Sequence, residues 1–174
     1  GMPVWSPDGK RFAFTRTTAN AIELWVADVA TAKAKQIPVK LNGVLGTPFH
    51  WMPDSNELIC TLTAAQAKPP EAPRVPAGPV VLESDGKKSP ARTFQDLLQN
   101  EHDEDLFEYY TTSELALINI DKGKVRQLGG QGMWKPPSPS PDGKHLIVSY
   151  IKRPFSRLHP VTAFPQVISV WDIS

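Results

Sequence analysis

The chain has 174 residues, with 19 basic side chains against 18 acidic and 40% apolar residues: enough for one ordinary core, and too evenly charged for non-specific capture of nucleic acid or anionic membrane. Eighteen prolines, about twice average usage, exclude a bundle of long helices and favour a loop-rich β protein, because proline breaks helix interiors and central strands. The single cysteine, Cys60, allows neither an internal disulfide nor a cysteine-based zinc site, and no apolar run reaches the ~20 residues of a membrane helix.

In chain order, residues 3–5 end a first strand and lead into WSPDGKRFAFT (5–15), a Pro-Asp turn followed by an apolar strand. The same grammar returns as WMPDSNELICT (51–61) and PSPDGKHLIVS (139–149). Proline presets φ at the second turn position, aspartate can bond the backbone beyond it, and Gly9 and Gly143 supply positive φ, so each copy predicts a hairpin. A second element also recurs: IELWVADV (22–29), SELALINI (113–120) and QVISVWDI (166–173), strands with Asp28, Asn119 or Asp172 near the end. Residues 34–39 and 124–128 predict a further strand after the first two. The unit is a four-stranded antiparallel meander, and the 46 residues from Trp5 to Trp51 match the ~40–50 of a propeller blade.

The strand at 57–63 finds its continuation only at Glu114, so an insertion lies between them. Residues 68–90 hold six prolines and predict extended, polyproline-like chain. Residues 93–110 predict a helix capped by Thr93 with Asp96 three residues on, and with Phe94, Leu97 and Leu98 as its apolar stripe. Asp96, Glu101, Asp103, Glu104, Asp105 and Glu108 occur there without a lysine or arginine. The run lacks the glycine of a calcium loop, so no metal is expected. A solvated helix face is the first reading; docking on a basic surface of another domain or subunit is the second.

The fold class is therefore all-β: a partial β-propeller of about three blades of four-stranded meanders, with a Pro-rich and helical insertion in the second. Blade one covers about 3–40, blade two about 46–129 with the insertion at 66–112, and an incomplete blade three about 133–174. A propeller needs about four blades to close, so the chain is expected to be a piece of a larger ring. Its edges would then pair with another copy in a homo-oligomer.

The SPDGK turns resemble those of TolB-like and prolyl oligopeptidase propellers. More specific is RTFQDLLQNEHDEDLFEYY (92–110), with VPAGP (75–79) upstream and KRPFS (152–156) downstream. That combination resembles the N-terminal propeller of the glutamyl endopeptidases, serine peptidases of the prolyl oligopeptidase clan known from chloroplasts and bacteria. The resemblance runs from about Pro3 to Ser174 and implies a propeller that limits access of peptide substrates to a C-terminal α/β-hydrolase domain, with a plastid, periplasmic or secreted location. The catalytic triad of that family belongs to the hydrolase domain. A nucleophile elbow needs G-x-S-x-G, and no two of the eleven glycines here are four apart, so no catalytic residue and no cofactor are expected in this chain. The alternative is a TolB-like propeller acting as a protein-interaction scaffold with no hydrolase attached.

A glutamyl endopeptidase must hold a substrate carboxylate, and arginine offers a planar bidentate donor. Arg153 and Arg157, in the loop after the strand 146–151, are the candidate substrate-binding residues; Arg74 is a weaker one. His50, His102, His145 and His159 read as surface or packing histidines, and Cys60 as a small core residue. Trp5, Trp25, Trp51 and Trp171 recur at equivalent places and are expected to pack between blades; Trp134 neighbours the glycine cluster 129–132.

Overall fold

The computed structural model of the protein describes residues 1–66, 68–72 and 97–174. The first meander comprises β1 (Val4–Trp5), β2 (Arg11–Thr17), β3 (Ile22–Asp28) and β4 (Lys33–Leu41). The second comprises β5 (Phe49–Trp51), β6 (Glu57–Thr63), β7 (Ser113–Asn119) and β8 (Val125–Trp134), with α1 (Glu101–Thr111) between β6 and β7. The third comprises β9 (Ser138–Pro139), β10 (His145–Ile151) and β11 (Gln166–Asp172). Every pairing is antiparallel, and the curled sheet is a partial propeller with a helical insertion, as the repeats predict.

The repeated turns are built alike. Ser6 Oγ donates to Asp8 Oδ1 (2.7 Å) and accepts from the Arg11 N–H, while Asp8 Oδ1 also accepts from the Lys10 N–H. Ser140, Asp142, Lys144 and His145 repeat that pattern. In the middle copy Met52 replaces the serine, so Asp54 Oδ1 takes the N–H groups of both Asn56 and Glu57, and Ser55 occupies the positive-φ position that glycine fills elsewhere. The polar residues near the third-strand ends close the next turns in the same way, with Asp28, Asn119 and Asp172 accepting from the N–H groups of Thr31, Lys122 and Ser174.

Meanders pack face to face through two cores. Leu24, Val26 and Ile37 of the first meet Phe49, Trp51, Leu58, Cys60 and Ile118 of the second. The opposite face of the second presents Ile59, Leu115 and Leu117 to Trp134, Leu146 and Val148. Burial on both faces explains why β6 and β7 read as nearly continuous apolar runs instead of alternating ones. Equivalent polar links cross both seams: Lys35 Nζ donates to the Ile120 carbonyl, and Arg126 Nη2 to the Ile173 carbonyl.

The fourth strands run further than predicted. β4 reaches Leu41, which pairs with Leu62 of β6, and β8 reaches Trp134, which pairs with Tyr150 of β10. Each thus begins the next meander, and each shifts register on the way. In β4 the shift falls at Pro38, which has no N–H to contribute to a ladder. In β8 it falls by Gly129, at φ 66, where Trp171 lies so close that a Cβ would come within 2.7 Å of its ring.

The helix starts later than predicted. Residues 97–100 are not helical, and Asn100 is the N-cap, its side chain accepting from the Asp103 N–H at 3.0 Å. Thr93, Asp96 and Phe94 lie outside the described residues, as do residues 73–90 of the proline-rich stretch and Arg74 within them. The tryptophans also divide. Trp51 is buried and donates to the Val4 carbonyl, and Trp171 packs edge-on against Trp134, both between meanders. Trp5 and Trp25 instead lie with Phe12 and Phe14 on the outer face of the first meander, where Trp5 is 58% exposed.

Candidate functional site

Successive connections of an antiparallel meander alternate between its two ends. The tight Pro-Asp turns gather at one end, where the Asp8 N–H reaches Ser55 Oγ and Pro53 packs on Gly143. The β6–β7 insertion, the 152–165 loop between β10 and β11, and the passage from β4 to β5 gather at the other. Asn42 Nδ2 there donates to the carbonyls of Tyr110 and Thr112, and Gln66 Nε2 to that of Tyr109, tying the C-terminal end of α1 to the sheet.

The 152–165 loop closes where the Lys152 N–H meets the Pro165 carbonyl. Inside it, Ser156 Oγ accepts from the N–H groups of Leu158 and His159. Phe155 and Phe164 stack at 5.4 Å, and Phe107 of α1 sits edge-on to both, at 5.1 and 5.5 Å. Met133, Ile151, Leu45 and Leu98 complete this third core, which seats the helix on the loop.

That seating aims three carboxylates of α1 at the two candidate arginines: Glu104 and Asp105, which each lie one turn before Glu108, and Glu108 itself. Arg153 donates from Nε to Glu108 Oε2 (2.6 Å), from Nη1 to Glu104 Oε2 (3.0 Å) and from Nη2 to Asp105 Oδ1 (2.6 Å). Arg157 Nε donates to the other oxygen of Glu104 at 2.7 Å. The guanidinium of Arg153 also lies 4.9 Å from the Phe155 ring centroid. Its hydrogen bond to Glu108, with the neighbouring carboxylate charges, raises the Arg153 pKa above its ordinary value and secures the cation. The acidic face is therefore not simply solvated: it docks on basic residues, and these belong to its own chain. The complementary charges of α1 and the KRPFSR loop were visible in the sequence; that they share one end of the sheet was not.

Beside this network opens a cleft of about 640 Å³. Met133, Trp134, Tyr150 and Ile151 supply apolar lining, while Glu108, Gln131, Lys152 and Arg153 supply polar groups. His102 lies in α1 and His159 in the 152–165 loop, while His145, His50 and Cys60 lie in strands, and none of the five lines the cleft. Cys60 is fully buried in β6, and burial pushes its thiol pKa up, so it stays protonated and unreactive. His50 is half-buried in β5, where burial lowers its pKa and favours the neutral ring. Among the described residues no three His, Cys, Asp or Glu side chains converge on a point that could hold a metal ion.

Two relatives match almost the whole chain. A probable chloroplastic glutamyl endopeptidase of Oryza sativa subsp. japonica is 36% identical over 180 residues, and its counterpart in Arabidopsis thaliana is 38% identical over 177. The chain is a homologue of the glutamyl endopeptidases. The alignments take in 97% and 96% of this chain but only 19% and 18% of those proteins. No family model matches it. This glutamyl endopeptidase homologue also superposes, over 98% of its length, on 39% of the β-propeller domain of the Trilobed protease from Pyrococcus furiosus, with a TM-score of 0.52 and 18% identity. That likeness concerns the fold.

Proposed function

We propose that this chain is the propeller segment of a serine peptidase that cleaves after glutamate, limiting and selecting the peptides that reach a C-terminal α/β-hydrolase domain. The observation that carries the reading is the 36–38% identity to glutamyl endopeptidases along almost the whole chain. In this reading the blades are 3–40, 46–129 and 133–174, with the insertion at 66–112, and Arg153 and Arg157 hold the substrate carboxylate. Two features support that role: both guanidiniums already bind carboxylates, and Arg153 borders a cleft of the size that small ligands occupy.

The test uses the full-length peptidase that contains this segment. Arg153→Ala should lower kcat/KM for a glutamyl peptide far more than for the matched glutaminyl peptide. An unchanged ratio between the two removes Arg153 from substrate recognition.

A further inference from the structure

If Arg153 holds the substrate carboxylate, that carboxylate does not meet a free cation. Nε, Nη1 and Nη2 each already donate to a carboxylate of α1. Two arginines face three acids, Glu104, Asp105 and Glu108, so the docked network carries a net charge of −1, and Lys152 on the cleft wall brings the neighbourhood only to neutrality. An incoming carboxylate therefore gains little from long-range attraction: two of the five N–H groups of Arg153 remain for it, but the positive charge behind them is already neutralised by the acids of α1.

The three acids differ in how readily they give way. Glu104 is only 13% exposed and bridges both arginines, so it belongs to the docking of the helix. Asp105 is exposed but does not line the cleft. Glu108 is 45% exposed, is bonded to Arg153 Nε and lines the cleft together with it. A carboxylate arriving through the cleft meets Glu108 first.

A second carboxylate on a guanidinium that Glu108 already neutralises adds little net attraction. The net binding free energy must then come from what else enters the cleft, and Met133, Trp134, Tyr150 and Ile151 offer apolar contact there. We infer that Glu108 is a specificity-determining residue: it competes with the substrate glutamate for Arg153, so the site admits a glutamate well only when a bulky apolar residue beside it fills the cleft. The inference rests on the reading of Arg153 as the carboxylate site.

The full-length peptidase tests it with peptides carrying Glu or Gln at the cleavage position and Phe or Gly on either side. The native enzyme should prefer Glu with a Phe neighbour over Glu between glycines by about tenfold in kcat/KM, the scale of an apolar subsite. Glu108→Gln removes the competing charge while keeping the side chain's size, and should raise kcat/KM for the glycine-flanked Glu peptide so that the preference narrows. If the native enzyme shows no preference for an apolar neighbour, or if Glu108→Gln leaves the preference intact while Arg153→Ala still abolishes Glu over Gln, the competition is wrong and the arginine site stands. If Arg153→Ala leaves Glu over Gln unchanged, the arginine site falls and the inference with it. The preference is measurable on the native enzyme, so it remains decisive even if the Glu108 variant folds poorly.

Discussion

At the scale of the residue, aspartates punctuate the fold. Hydrogen bonds lower the pKa of Asp8 (from Ser6), Asp28 (from the Thr31 backbone), Asp142 (from Ser140) and Asp172 (from Ser174) beneath the ordinary 3.8. A carboxylate whose pKa is lower folded than unfolded adds stability above the unfolded value, and that contribution is lost as pH falls through the folded value. Thermal stability of the chain should therefore drop on acidification below about pH 4. Asp8→Asn and Asp142→Asn, which keep an acceptor oxygen but cannot titrate, should flatten that dependence. An equally steep pH profile in the double variant would assign acid lability to other groups. These turns were legible in the sequence because every bond that closes them lies within five residues.

At the scale of the element, two backbone positions control what the strands and helix do. Asn100 caps α1 through the Asp103 N–H, and Asn100→Ala should cost about 1 kcal/mol, read from the denaturant midpoint. The local capping pattern of Thr93, with Asp96 three residues on, comes first along the chain and so predicts the start there. The choice of Asn100 goes with burial, because the core that seats the helix uses Leu98 and Phe107. Gly129 combines φ 66 with the Trp171 ring against its α-carbon, so Gly129→Ala should destabilise the chain by roughly 2 kcal/mol. Gly130→Ala, where a Cβ would meet nothing within 4 Å, is the matched control.

At the scale of the molecule, the two ends of the curled sheet differ from its middle. The central meander is buried on both sides, whereas the first shows Trp5, Phe12, Phe14 and Trp25 on its outer face and the third exposes Ile147, Ile168 and Val170. β11 has β10 on one side and no strand on the other among the described residues. Apolar faces and an unpaired edge of this kind favour association. The isolated chain should form dimers or larger assemblies by light scattering, shifting with concentration, and a monomer throughout the micromolar range would contradict this.

What the sequence by itself determined is whatever rests on short-range pattern: the repeated Pro-Asp turns, the meander they imply, the apolar runs of a doubly buried middle unit, and the likeness to the glutamyl endopeptidases. Only the tertiary structure decided that the acidic helix lies on the KRPFSR loop, that Glu104 joins both candidate arginines, and that Glu108 and Arg153 line one cleft together. Those contacts span 45 to 53 residues. They follow from the topology, which brings two connections separated in sequence to the same end of the sheet, and complementary charge alone does not say which segments meet.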